Sequence, residues 1–289
     1  MKAYNPKDWF SLILNFHKSD AFRMLIPAMI GIAALSSLIC YLDIELGLVK
    51  LRSTTVMHSL LGFVISLLLV FRTNTAYDRW WDGRKLWGEL VNNSRNLMLK
   101  INAFVPEDKK EIRNNFRILI TNYAFALKEH LRNGLKPEQL EEHPLLAIKD
   151  LKTIHHVPNK IALQMYIDSN ELVKNNIISA EQLLILNEEL RAFTNIAGGC
   201  ERIKNTPIPY SYSSFIKRII FIYILTLPFG LMNDLKWATV PIVLFVFYAF
   251  AGLELLAEEI EDPFGHEQND LPTDNLANTI KKNLLEIVG

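Results

Sequence analysis

GFVISLLLVFRTNTAYDRWWDGRKLWG, residues 62–88, changes character at Arg72. Before it the run carries no charge; after it charged and aromatic residues mix, with apolar positions three or four apart, the spacing of an amphipathic helix. The first part suits hydrocarbon and the second suits water.

Working outward, charged residues are missing between Arg23 and Asp43, Arg52 and Arg72, Arg218 and Asp234, and Lys236 and Glu254. A bilayer core is roughly 30 Å thick and takes about 20 helical residues to cross. The first two gaps approach that length; the shorter two are extended by snorkelling boundary residues and helix tilt. Core helices of a soluble protein usually keep a polar face. IKRIIFIYILTLPFGLM (residues 216–232) has none after its opening basic pair, and WATVPIVLFVFYAFAGLELL (residues 237–256) has none before Glu254. The fold class is therefore all-α, with four transmembrane helices and a large helical region between Arg72 and about Lys204. That region is expected to hold a local irregularity at Asn92-Asn93, a loop ending at Val157-Pro158 and a helix over residues 179–196.

The organisation expected is an amphipathic lead-in over residues 1–20, two spans over 21–72, a cytoplasmic helical region over 73–212, two spans over 213–257 and a cytoplasmic C-terminal segment over 258–289. Lys and Arg flank the first span, follow the second and open the third, which places both termini inside. The protein is read as multi-pass in the plasma membrane, the inner membrane of a bacterium. Net charge is zero, with 31 basic and 31 acidic residues, so no basic patch points to nucleic acid. Cys40 and Cys200 do not make a disulfide framework. The apolar stretch near the N-terminus, broken by Asn15 and His17, is not a cleavable signal.

Residues 62–88 resemble the bestrophin family, especially its bacterial branch. Two further runs carry the same resemblance: GGCERIKNTPIPYSY (residues 198–212), before the third span, and IEDPFG (residues 260–265), after the fourth. The resemblance implies a homopentameric channel with its pore on the fivefold axis. Second-span helices form an apolar neck above a cytoplasmic vestibule with a lower constriction. Members of the family conduct chloride and other anions, and some bacterial relatives are expected to favour monovalent cations. Partners are copies of the chain, membrane lipid and small permeant ions; no cofactor is implied.

Thr55, Ser59, Phe63, Leu67 and Phe71 recur every four residues and form one drifting helical stripe. Apolar residues in a span commonly face lipid or neighbouring helices. The resemblance assigns Phe63, Leu67 and Phe71 to the neck, where apolar side chains gate by dewetting, and Thr55 and Ser59 to the wetter outer entrance. Gly62 and Ser66 suit close helix packing. Arg72 and Asn74 either line the top of the vestibule or anchor the helix. The lower constriction maps near Ile178 and Glu181; the glutamate departs from the apolar residue usual there. Two carboxylates, Glu267 and Asp270, remain where eukaryotic relatives clasp calcium. That charge count predicts weak binding and no tight gating site.

An enzyme is not indicated. His155-His156 is a poor metal motif because adjacent helical residues diverge. No phosphate loop, HExxH or nucleophile elbow occurs, and the spans are read as free of ionisable residues. The alternative from another class is a membrane-anchored helical scaffold that recruits a cytosolic partner.

Overall fold

The computed structural model describes residues 20–47, 55–132 and 134–289. Helices in chain order are α1 (Asp20–Ile44), α2 (Thr55–Phe104), α3 (Lys110–Leu131), the single turn α4 (Ile148–Leu151), α5 (Val157–Lys174), α6 (Ala180–Asn205), α7 (Tyr210–Leu235), α8 (Thr239–Glu261) and α9 (Thr273–Val288), with 3₁₀ turns at Pro137–Gln139 and Lys236–Ala238. Among the described residues the only β feature is an isolated bridge, His143 with Leu146. The amphipathic lead-in lies outside the described residues, as do residues 48–54 of the first link.

α2 runs unbroken for 50 residues, through Arg72 and through Asn92-Asn93, where no irregularity occurs. Its buried positions explain why. His58, Ile65, Leu69, Arg72, Ala76, Gly83, Trp87, Leu90, Ser94, Leu97 and Ile101 mark one stripe at spacings of three, four and twice seven. That is the heptad rhythm of a helix with a single continuous seam. Other boundaries follow local chemistry. The Ser179 hydroxyl accepts from the Gln182 N–H while the Gln182 side chain accepts from the Ser179 N–H, a capping box that starts α6. Pro207 and Pro209 separate α6 from α7, since proline removes a helical donor. Pro158 sits in the first turn of α5, where no donor is needed.

The chain divides into two compact units, Lys2–Arg79 with Ile208–Glu261, and Trp80–Pro207 with Asp262–Gly289. These units are defined by which residues pack together, whereas the boundaries expected from the sequence mark the onset of charge. In the first unit α1 packs on α8 and α7, and α7 on α8. Ile65 and Leu69 of α2 join Ile216, Ile220, Ile224 and Leu227 of α7 and Val243 of α8 in one apolar cluster. A Cβ on Gly62 would come within 2.9 Å of the Tyr223 hydroxyl, so α2 and α7 approach as closely as glycine allows. Three stretches, Phe22–Ile44, Thr55–Phe104 and Ala180–Glu261, contain helix long and apolar enough to cross a membrane.

The second unit surrounds α3, buried along most of its length. Trp87, Phe116, Tyr123 and Phe193 are fully or almost fully buried there. Burying an apolar side chain of that size contributes about 1.5–3 kcal/mol. The Tyr123 hydroxyl donates to the Phe193 carbonyl at 2.6 Å, and burial pushes its pKa upward. α9 docks on α3 through Asp274, which meets Lys128 Nζ at 2.7 Å and Arg132 Nη1 at 2.8 Å.

Candidate functional site

In the first unit α2 turns the Ile65–Leu69 seam inward and leaves its other side uncovered. Phe63 is 68% exposed, Leu67 46% and Phe71 56%. The structure brings these three to one open face, with no partner helix over them among the described residues. Thr55 and Ser59 continue that face and are also exposed. The Ser59 hydroxyl donates to the Thr55 carbonyl at 2.9 Å, and the Thr55 hydroxyl to the Gly230 carbonyl at 3.3 Å. Both hydroxyls are thereby spent on backbone while their oxygens face outward. Ser66 likewise donates to the Gly62 carbonyl and is exposed, so of the two small residues only Gly62 makes the close packing contact.

Arg72 does not line that face. Its side chain is buried, with Nη1 2.7 Å from Glu261 Oε2 and Nε 3.6 Å from Glu254 Oε2. Glu261 is gathered further: its Oε1 accepts from the Ile208 N–H at 2.5 Å, and its carbonyl from Arg79 Nε at 3.1 Å. One carboxylate thus joins α2, the start of α7 and the end of α8. Asn74, by contrast, is exposed.

The expectation that the spans hold no ionisable residue is corrected by His58, buried in α2 against Gly230 and Tyr223, and by Glu254, buried in α8. His58 escaped notice because charge at neutral pH marked the gaps, and histidine carries none there. Glu254 read as the edge of its gap, whereas α8 continues to Glu261.

In the second unit the three motifs of the sequence converge. A Cβ on Gly83 would sit 3.2 Å from Pro263, Phe264 and Leu271, and Trp80 Nε1 donates to the Asn269 carbonyl at 2.9 Å. A Cβ on Gly199 would meet Leu86 at 2.9 Å. Glycine allows close approach at both places. Glu267 is exposed, whereas Asp270 is buried and its Oδ2 accepts from the Glu267 N–H at 2.6 Å. The two carboxylates therefore stand differently: Asp270 folds the loop, and Glu267 faces outward.

Ile178 and Glu181 are separated as well. Ile178 is 5% exposed and belongs to the apolar core of the unit. Glu181 is exposed on the first turn of α6, and a hydrogen bond from Ser179 holds its carboxyl below the usual glutamate range. Leu184 and Ile185, one turn on, are also exposed and apolar.

The family model described as bacterial and fungal bestrophin protein matches residues 1–286. The chain belongs to the bestrophin family. A voltage-dependent anion channel-forming protein of Synechocystis is 34% identical over 298 aligned residues, spanning 98% of this chain and 93% of that protein. One of Nostoc is 37% identical over 236 residues, 79% of this chain and 76% of the other. The Escherichia coli K12 protein of the same description is 34% identical across 96% of this chain and 91% of its own length. Crystal structures of a bacterial bestrophin homologue from Klebsiella pneumoniae superpose with TM-scores of 0.85 and 0.83 at 27% and 28% identity, covering 92% of this chain and 99% of theirs. The all-α architecture is that of the bacterial bestrophins, and the long apolar helices are those of a membrane protein.

Proposed function

We propose that this bestrophin is one subunit of an ion channel whose permeation path follows the open face of α2. The observation that carries the reading is the stripe itself. Phe63, Leu67 and Phe71 stand exposed on a helix whose opposite seam is buried, with small hydroxyl residues above them. Apolar rings around an axis strip water from an ion and offer no ligand, so a small change in radius produces a large change in barrier. A single chain cannot enclose such a path. Copies of the chain supply the other walls, and the family resemblance supports five subunits around the axis. Glu181 supplies charge at the lower end. The relatives' description as anion channel-forming proteins makes small anions the permeant ions of first choice.

The chain sits as a multi-pass protein in the plasma membrane with both termini on the cytoplasmic side. Support comes from Arg72, Arg79, Arg84 and Lys85 after the second span and Lys217 and Arg218 at the third. Lys217 meets Glu258 at 2.8 Å.

The test is recording from the purified protein in planar bilayers. Unitary currents whose reversal potential under a salt gradient is displaced from zero towards the chloride equilibrium potential are expected. Silence across lipid compositions and voltages would instead favour the membrane-anchored scaffold.

A further inference from the structure

His155 and His156 are neighbours in sequence but not in chemistry. His155 turns towards a cavity of about 290 Å³ that His130 also lines, while His156 turns towards a second cavity of about 430 Å³ shared with Glu201, Tyr166 and Asn159. His156 is the N-cap of α5 and Glu201 lies in α6. His130 stands in the last turn of α3. The tertiary fold brings them onto one atom. His130 Nε2 is 2.8 Å and His156 Nε2 2.7 Å from the same oxygen of Glu201, and the imidazole rings are 4.4 Å apart. All three residues are partly buried, and their donor atoms lie within 4.8 Å of one another.

We infer that His130, His156 and Glu201 form a binding site for one divalent transition-metal ion of the zinc type, clamping α3, α5 and α6 together. Two imidazole nitrogens and a carboxylate oxygen are the donor set that zinc takes when three ligands come from protein. Harder ions such as calcium and magnesium prefer all-oxygen shells. The cavity beside His156 and Glu201 leaves room for water as the remaining ligand. Cys200 adjoins Glu201 in sequence but is buried and does not join the three converging donors.

Loading the site has a structural consequence at α5. At present His156 Nδ1 accepts from the Asn159 N–H at 3.1 Å, which leaves its proton on Nε2, where it is donated to Glu201. A metal on Nε2 displaces that proton, which passes to Nδ1 or to solvent. With the proton on Nδ1, Asn159 loses its acceptor, and the first turn of α5 exchanges the cap for the metal.

Zinc is titrated calorimetrically into the chelator-treated full-length protein in detergent, with the bound metal counted by elemental analysis and cobalt(II) absorption reporting tetrahedral geometry. One ion per chain is expected, with affinity reduced about tenfold or more in Glu201→Gln and in His130→Gln, each confirmed folded by size exclusion. Glu267→Gln with Asp270→Asn should leave binding unchanged, which separates this site from the acidic loop. Amide exchange at Asn159 should accelerate when zinc is added. Binding that is absent, or equally strong in both site variants, would mean a hydrogen-bonded trio only and overturn the assignment.

Discussion

Arg72 Nη1 lies 2.7 Å from Glu261 Oε2, both side chains largely withdrawn from solvent. The pair ties the end of the apolar stripe to the end of α8, and Glu254 adds a second carboxylate 3.6 Å from the same guanidinium. Removing one partner of a buried pair leaves an uncompensated charge and typically costs about 3–5 kcal/mol. Arg72→Met should therefore lower thermal stability in detergent by that order. Glu261→Gln should cost less, because its amide oxygen still accepts from Ile208 N–H. Since Arg72 faces away from the exposed stripe, channels that do assemble from Arg72→Met should keep wild-type ion selectivity. An Arg72→Met protein as stable as the parent would show that the pair is not holding the helices.

Phe63, Leu67 and Phe71 should behave as one barrier. Replacing all three with alanine widens the path and is expected to raise unitary conductance or open probability, measured in bilayers. All three are exposed in the subunit, so truncation leaves no intramolecular cavity and the subunit fold should survive. Unchanged currents from a folded triple variant would move the path elsewhere.

Glu181, exposed on the first turn of α6, is the residue proposed to supply charge at the lower end. Its carboxyl, held below the ordinary range by Ser179, is ionised at neutral pH. Converging copies of it would favour cations. Glu181→Gln should shift the reversal potential under a salt gradient towards anions; no shift would take the residue out of the conduction path.

The acidic loop after α8 is expected to bind calcium weakly. Asp270 already accepts the Glu267 N–H, and a Cβ on Gly265 would come within 2.7 Å of the same carboxylate, so this group is committed to the turn. Calorimetric titration of the chelator-treated protein should find no submicromolar calcium binding, and currents should not depend on the ion. Tight binding that opened the channel, and that Glu267→Gln abolished, would reverse this expectation.

Acid should loosen α9. Burial resists ionisation of Asp274, but the hydrogen bonds from Lys128 and Arg132 outweigh it and bring its pKa down to about 2. A carboxyl depressed from its ordinary 3.8 contributes stability that is complete above that value and fades as pH falls from about 4 to about 2. Amide exchange in α9 should rise over that window in the parent. In Asp274→Asn this component of the rise should be missing.

His130 titrates in the same sense: burial is the main cause that lowers its pKa, opposed by the Glu201 hydrogen bond, so what it contributes is likewise lost as pH falls.

The sequence by itself determined the helical class, the apolar segments and the order of motifs, because each is a local or periodic property. A charge-free run long enough for a bilayer, a capping box at Ser179 and prolines between α6 and α7 act over a few turns of chain, and all can be read along one line. The stripe of Phe63, Leu67 and Phe71 was legible for the same reason, as a spacing of four. What only the tertiary structure decided is which way a side chain is spent. Arg72 looked equally able to line a vestibule or anchor a helix until Glu261, 189 positions later, was found beside it. Ile178 belongs to the apolar core, which counting along the chain does not reveal. His156 made a poor motif with its neighbour and a good one with His130 and Glu201, which the chain supplies from three separate helices. Such pairings depend on long-range packing of α2, α3, α6 and α8, and no periodicity within a single helix records them.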